Sequence, residues 1–489
     1  MCYRVVGVLL LIIALIWQVT WDGGISAMAQ GPKVTKWSAP TRISQSGNFA
    51  YLPFIVADQS GTLHVVWSES VADPLNELAL DTIFYATRRG YEWSKPIDIF
   101  AVSEPATAVV NRLRLDRSGV LTLLWVDRAG HIVLAIAPST DAGSARAWKA
   151  VQVSEPAWLA DFAFGRDGAV HLVYVLDRQG IFYAQSGDGG ATWSVTSTVW
   201  NMPTDQYSSG SVRIEVGPDG TIHVAWGLTA ASMRWNPVGV LYARSTDNGR
   251  NWETTLNVQE GDNLPSIGFD AQANLHLVWN NPAASMMGRG HAWSTDSGVT
   301  WKGPERIFPG YRGQTMWPAM AQDSAGTLHL ITCANPPTAG VSQTFHTEWQ
   351  GESWSGPQAI SGEFYGGEGP SVAVSGGNQL HVVWFSYGGH VGSSQYGIYY
   401  AMGQGPAPSV SFQPKAELLP TATASPSVPT PTAVSPSPTR PIVSSSVVKM
   451  QMVDGSFLTH SAELAFLAGL VPVMLLIAVV LFVQASKKR

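Results

Sequence analysis

The sequence predicts an all-β chain folded as a seven-bladed β-propeller with four short strands per blade, six blades being the alternative. Three observations predict it. One apolar run recurs seven times: "GTLHVVW" at 61–67, "GVLTLLW" at 119–125, "GAVHLVY" at 168–174, "GTIHVAW" at 220–226, "ANLHLVW" at 273–279, "GTLHLIT" at 326–332 and "NQLHVVW" at 378–384. The last residues of these runs lie 58, 49, 52, 53, 53 and 52 positions apart. Each repeat of this length holds four short strand patterns, the content of one propeller blade. The strand that the seventh repeat lacks stands at the other end of the chain, where it can close a ring. The second repeat is the most worn, which is why six blades stays as the alternative.

Taken from the N-terminus, residues 1–29 have the form of a secretory signal. Arg4 supplies the positive start, Val5–Trp17 the apolar core, and "AMAQ" at 27–30 a small-residue cleavage site after Ala29. An uncleaved N-terminal anchor is the other reading. The propeller is expected over 30–408. Each repeat opens with an apolar strand such as "PSIGFDAQ" (265–272), and a turn leads to the Leu-His-x-Val-Trp strand. A variable loop follows, then a third strand ("GHAWSTD", 290–296) and a fourth starting at a Trp ("WKGPERIF", 301–308). Both faces of these strands are apolar, as blades stacked face to face require. The seventh repeat ends at "GIYYAMGQG" (397–405) without a fourth strand, while "WSAPTRIS" (37–44) matches "WSKPIDIF" (93–100) and "WSGPQAI" (354–360). The N-terminal strand is therefore expected to complete the last blade and leave no free sheet edge there.

Residues 409–460 are rich in Pro, Ser and Thr and offer little for a core, so they read as an extended stalk. Leu464–Val483 is an uninterrupted apolar run; as a helix its twenty residues rise about 30 Å, the thickness of a bilayer core. The basic tail at 484–489, with Lys487, Lys488 and Arg489, is expected on the cytoplasmic side. The expected location is the cell membrane, through a single C-terminal span, with the propeller outside. Only Cys2 and Cys333 are present, so a mature propeller has no internal disulfide. Charged residues make up 13% and the net charge is -6, which excludes the basic stripe of a nucleic-acid partner. The 20 Trp need a repeated role.

Three turns share one pattern: "SGDGGATW" (186–193), "STDNGRNW" (245–252) and "STDSGVTW" (294–301). In each, an Asp (Asp188, Asp247, Asp296) can accept hydrogen bonds from turn N–H groups. A Gly (Gly190, Gly249, Gly298) tolerates angles that a Cβ hinders, and a Trp (Trp193, Trp252, Trp301) buries area between blades. "ATRRGYEW" (86–93), "STDAGSARAW" (139–148) and "HTEWQGESW" (346–354) are worn or expanded copies. The motif resembles the Asp-box, or bacterial neuraminidase repeat, of sialidase-superfamily propellers, and the resemblance covers about Lys33 to Pro408. It implies that these turns are structural and lie opposite the active face. The recurring His64, His171, His223, His276, His329 and His381 stand in different blades, so they read as hydrogen-bonded packing residues and not metal ligands. No metal or cofactor is expected.

The resemblance also implies three arginines for a substrate carboxylate, a Tyr nucleophile with a Glu, and an Asp acid/base. The first arginine belongs to a Phe/Tyr-Arg-Ile-Pro signature, where this chain reads "AYLPFIVAD" (50–58), with Tyr51 at the arginine position and Pro53 kept. If the chain is a hydrolase, Tyr387, Glu368, Arg213 and Arg312 are the residues nearest to the family pattern. The working face is expected to be built from the loops after the fourth and second strands. The first set carries Tyr207, Tyr311, Arg312, Trp317, Tyr365 and Glu368; the second carries Trp235, Arg289, Tyr387 and His390. Tyr311, Trp317, Tyr365, Glu368, Tyr387 and Trp235 are the expected ligand contacts, since aromatic faces beside carboxylates suit sugars. The favoured function is a membrane-anchored module that binds a surface glycan or an extracellular protein without catalysis. An exo-α-sialidase or related glycoside hydrolase is the first alternative, and an assembly factor for a membrane complex is the second.

Overall fold

The computed structural model describes residues 36–412, except 47, 71–80, 102–108, 128, 195, 259–260, 262, 281–286, 313–315, 339–340, 363–365 and 388–395. The signal segment 1–29, the stalk beyond Phe412, the apolar run Leu464–Val483 and the basic tail lie outside the described residues, as do Tyr365 and His390. No helix among the described residues is long and apolar enough to cross a membrane.

Seven antiparallel sheets form, each with four strand positions, and the count is seven and not six. Blade I runs Phe49–Ala57, Leu63–Ser70, Asp81–Arg89 and a broken outer strand, Glu92–Trp93 then Ile97–Ala101. Blade II runs Val109–Leu115, Val120–Val126, His131–Pro138 and Lys149–Pro156. Blade III runs Leu159–Phe164, Val170–Leu176, Gly180–Ser186 and Ser197–Asn201. Blade IV runs Tyr207–Val216, Ile222–Ala230, Met233–Ser245 and Glu253–Val258. Blade V runs Asn263–Phe269, Leu275–Asn280, Met287–Ser294 and Lys302–Arg312. Blade VI runs Ala319–Gln322, Leu328–Ala334, Gln343–Glu348 and Gln358–Ala359. Blade VII runs Glu368–Ser375, Gln379–Tyr387 and Tyr396–Gln404, and its outer strand is Thr41–Arg42 from the N-terminus. The four strands of a blade are called inner, second, third and outer. The 1–2 and 3–4 turns lie on one face, here the lower face, and the longer loops on the upper.

Second strands alternate side chains between two blade interfaces, and since both interfaces are dry, both sets are apolar. Leu63, Val65 and Trp67 pack toward blade VII, while Val66 packs toward blade II. One apolar cluster fills each of the seven interfaces.

A polar chain runs through the same interfaces. In blades I, III, IV and VII the repeated His donates or accepts at Nδ1 with a third-strand Tyr hydroxyl: His64–Tyr85 2.6 Å, His171–Tyr183 2.7 Å, His223–Tyr242 2.6 Å and His381–Tyr400 2.8 Å. Blades V and VI use a second His instead, with His276–His291 at 3.0 Å and His329–His346 at 2.9 Å. The next blade then covers that ring with a Trp, edge-on: Trp148 on Tyr85, Trp252 on Tyr183, Trp301 on Tyr242 and Trp93 on Tyr400, with centroids 4.8–5.7 Å apart. Trp354 covers His291 in the same way, and Trp37 covers His346 at a tilt of 59°. Blade II has Thr122 and Leu134 at these places, and Trp193 of blade III packs in the cluster with Leu134.

The three Ser-x-Asp turns sit on the lower face between third and outer strands. Asp296 accepts from Thr300 N (2.8 Å), Thr300 Oγ1 (2.6 Å) and Ser294 Oγ (2.7 Å), and Asp188 and Asp247 repeat this set with Thr192 and Asn251. Gly249 and Gly298 have φ of 78° and 83°. A Cβ on either would collide with the Tyr of the preceding blade, Tyr183 or Tyr242, so only Gly lets the turn close over it.

The ring closes as the sequence implies. Thr41 and Arg42 pair with Tyr400 and Tyr399, Ser38 N donates to Met402 O and Ile43 N to Ile398 O, both at 2.8 Å. One boundary moves. The stalk was expected from residue 409, but Val410 N donates to Gly376 O (2.9 Å), Ser324 Oγ to Pro408 O (2.5 Å), and the Phe412 ring lies against Gly61 and Gly376. The absence of side chains on these glycines makes room for the segment, so the propeller extends to Phe412 on its lower face.

Two outcomes are expected. Deleting residues 36–44 should cost several kcal/mol, since it exposes an edge and the apolar surface under Trp37 and Ile43, whereas truncation after Phe412 should leave the thermal midpoint nearly unchanged. Equal losses from both truncations would contradict the clasp. Stability should also fall with acid in two windows. Burial pulls His223 and His291 down to about 4, and His346 and His381 to about 3, from an ordinary 6.5. These neutral rings favour the fold above 6.5, and that stability is lost as pH falls through the folded values. Hydrogen bonds from Thr192, Asn251 and Thr300 hold Asp188, Asp247 and Asp296 at about 2 against an ordinary 3.8. Their contribution is present above 3.8 and lost toward 2. Thermal melts against pH should show both windows in the native chain, and the Asp188→Asn, Asp247→Asn, Asp296→Asn triple variant should show a smaller lower window, with Asp58 and Asp161 still contributing to it.

Candidate functional site

The inner strands of all seven blades line a central channel of about 1100 Å³. Sheet register defines two successive levels in its wall. At the level paired with the residue before the second-strand aromatic, the wall reads Phe54, Arg112, Asp161, Arg213, Ser266, Ala319 and Ser371 from blade I to VII. Two residues toward the lower face it reads Val56, Arg114, Ala163, Glu215, Gly268, Ala321 and Ala373. Every charge at these levels is on blades II, III and IV. The other blades contribute apolar or small residues.

The charges form one network. Arg112 grips Asp161 with two bonds, Nε–Oδ1 2.8 Å and Nη2–Oδ2 2.7 Å, while Ile214 N donates to Asp161 Oδ2 at 3.2 Å. Arg114 grips Glu215 at 2.7 and 3.2 Å and donates to Phe162 O at 2.6 Å, so blade II reaches across blade III to blade IV. Arg213 is the third guanidinium. It is 5% exposed, 4.0 Å from Asp161, and lies over the Trp317 ring with its Cζ 4.3 Å from the centroid. Burial and then the charge of Arg112 pull Arg213 down to about 9. Burial alone would raise the Asp161 carboxyl, but Arg112, with Arg213 and Arg114 behind it, holds it below the usual range. Three arginines against two carboxylates leave the network one positive charge in excess.

Near the upper mouth a second buried arginine is held by neutral groups. Arg289 donates to Asn280 Oδ1 (2.7 Å), Cys333 O (2.5 Å) and Met316 O (3.4 Å), and its Nε has no hydrogen-bond partner. Burial lowers it to about 10, opposed by the nearby Cys333 and Glu368. Burial likewise raises the Cys333 thiol, with the Glu368 charge adding to it.

The expected site residues separate. Trp317 is at the channel, on the segment entering blade VI, and Glu368 opens the inner strand of blade VII. Arg213 is in the channel wall, and Arg289, expected on a loop after a second strand, is instead on a third strand and 3% exposed. Arg312 is exposed at the end of blade V's outer strand, its N bonded to Asn335 O, so it does not join Arg213 in the wall. Tyr311 is a correction: it packs between blades V and VI against Phe308 (5.5 Å) and Phe345 (5.3 Å), held there by apolar neighbours. Tyr207 is half-buried at the start of blade IV's inner strand. Tyr387 backbone pairs with Tyr396 at the top of blade VII, and Trp235 is on blade IV's third strand; their side chains lie outside the described residues, as does all of Tyr365. Sequence reasoning missed Arg112, Arg114, Asp161 and Glu215. The available signal was charge in "NRLRL", "LADFAF" and "SVRIEV", at strand positions that are small or apolar in the other repeats. It also missed Trp158, which opens blade III on the upper face and is 49% exposed.

No family model matches the chain, and no curated protein matches it in sequence. Solved structures do resemble it. A PL25 ulvan lyase, solved bound to a GlcA(1-4)Rha3S glycan, superposes over 76% of this chain and 97% of its own at TM-score 0.51 and 12% identity. A protein of unknown function from Dyadobacter fermentans covers 76% and 98%, at TM-score 0.48 and 14% identity. The NanB sialidase of Streptococcus pneumoniae covers 76% and 71%, at TM-score 0.44 and 12% identity. At these identities the likeness to the lyase shows the propeller fold.

Removing one partner of the buried pair should be costly. Asp161→Ala leaves the half-buried Arg112 without its carboxylate and is expected to cost about 3 kcal/mol in chemical denaturation, the low end for breaking a buried pair. The Asp161→Leu, Arg112→Met double variant should recover most of that loss. A single variant as stable as the native chain would show that the pair is not formed.

Proposed function

We propose that this chain is a sialidase-like, membrane-displayed propeller that binds carbohydrate at the upper mouth of its channel and does not hydrolyse it. The observation that carries the reading is the occupancy of the channel charges. Arg112 and Arg114 are each closed by a bidentate carboxylate, and Arg213 is stacked on Trp317. A sialidase needs its guanidiniums open toward a substrate carboxylate. It also needs an acid that exchanges protons, whereas Asp161 is buried, held ionised and saturated with donors. The charged wall is therefore a structural element beside a binding surface.

Trp317 at the channel and Trp158 on the upper face supply that surface. Indole faces stack on sugar rings and lose little conformational freedom in doing so. The ulvan lyase that shares the fold was solved with a glycan bound, so a propeller of this build can present a sugar site. The sequence supports display at a cell surface through the signal segment, the stalk beyond Phe412 and the span Leu464–Val483.

The test uses the full chain in detergent against an immobilised panel of oligosaccharides, followed by calorimetry on the best binder. Trp317→Ala and Trp158→Ala are each expected to weaken binding by about tenfold or more, the scale of a truncated stacking aromatic. A fluorogenic sialoside should show no turnover. Turnover abolished by Glu368→Gln would replace this reading with the hydrolase one, and binding unchanged in both Trp variants would place the site elsewhere.

A further inference from the structure

The polar chain between blades changes character in blades V and VI, where the third-strand Tyr becomes His. In blade V the result is a linear relay. His276 Nδ1 meets His291 Nε2 at 3.0 Å, and Glu305 meets the opposite nitrogen, His291 Nδ1, at 2.9 Å. The carboxylate is 39% exposed and lies on the far side of the ring from His276, so three donors do not converge.

Blade VI is arranged differently. Glu348 follows His346 by two residues on one strand, which puts both side chains on the same face. One ligand atom each from His329, His346 and Glu348 lie within 4.8 Å of one another, and all three side chains are buried. The facing nitrogens, His329 Nδ1 and His346 Nε2, are 2.9 Å apart. Behind the first, His329 Nε2 is 3.2 Å from Asp323 Oδ2. That bond fixes the tautomer: Nε2 carries the proton toward the carboxylate, and Nδ1 presents a lone pair to the cluster. A carboxylate behind a histidine whose other nitrogen is free to ligate is the usual support of a metal-bound imidazole.

We propose that His329, His346 and Glu348 form a buried site for a divalent transition metal, with Asp323 orienting His329. Two imidazoles and a carboxylate suit Zn²⁺ or Co²⁺. The ion would take the place of the proton shared by the two rings. His346 then ligates through Nε2, and its proton moves to Nδ1. The charge closes as well, since Glu348 and Asp323 together balance a dication. The site lies at the interface of blades VI and VII, directly under the closing strand, where Trp37 covers His346 at 5.5 Å. Bound metal would therefore brace the seam at which the ring is closed.

The experiment uses the full chain in detergent, stripped with a chelator and then titrated with Zn²⁺ or Co²⁺. We expect about one equivalent of Co²⁺ with the visible absorption of a four-coordinate ion, and a Zn²⁺-dependent rise in thermal midpoint. Both should vanish in His346→Tyr, a variant that recreates the His–Tyr pair of blades I, III, IV and VII and so keeps the packing. Glu348→Gln should also remove them, in case the larger ring is not accommodated. Asp323→Asn should weaken affinity by about 10- to 100-fold. His291→Tyr in blade V should change neither readout. A native chain that takes up no equivalent, or His346→Tyr binding as tightly as the native chain, overturns the site.

Discussion

The ring depends on one contact repeated at six of its seven interfaces, a Trp laid over the aromatic third-strand residue of the blade before it. That residue is in turn tied to a His on the adjacent strand, and in blades I, V and VI the far nitrogen of the His meets the Asp of a lower-face turn. Turn, strand and neighbouring blade are thus coupled through one line of side chains. A blade by itself has two apolar faces and cannot be stable in water, so each must be covered by its neighbours. Closure is then not optional: the first and last blades must share a sheet. Trp37 shows this directly, since it comes from the N-terminus yet occupies, over His346, the place that each outer-strand Trp occupies elsewhere.

Around this repetitive frame the channel is asymmetric. The inner strands have the same role in every blade, but blades II to IV carry all the charge at the two levels of the wall and the other four carry none. A buried pair contributes little net stability over apolar packing, because desolvation offsets most of the attraction. Its effect is on geometry. Arg112 and Arg114 connect three successive blades, and Arg213 lies over Trp317 on the segment entering blade VI. Blade II is also the one with Thr122 and Leu134 in place of the His and its aromatic partner, so the ion pairs join blades where the polar chain is interrupted. The charged wall therefore belongs to the scaffold.

The fold was legible because its determinants are local and repeated. Seven copies of one strand, glycines in tight turns and a strand displaced to the other terminus state the architecture without long-range information. The turn aspartates were legible for the same reason: their partners are two to four residues away. The site was much less legible. Tyr311 and Trp317 look alike in sequence, aromatic residues on the same connection between blades V and VI. One is packed against Phe345 and the other lies on Arg213, and nothing within a few residues of either distinguishes them.

The sequence by itself determined the blade count, the strand order, the closing strand and the structural character of the Asp turns, because each follows from periodicity and short-range hydrogen bonding. Only the tertiary structure decided which charges meet. Arg112 and Asp161 are 49 residues apart, and Arg114 and Glu215 are 101 apart. They come together because consecutive inner strands converge on one axis. Pairing of the second and third strands within a blade distinguishes His329, with a second imidazole and a carboxylate beside it, from His64, whose ring nitrogen meets a Tyr hydroxyl. A repeat specifies where a residue sits within its blade; the side chains it faces are supplied by other strands and by the next blade, and those are set only when the ring closes.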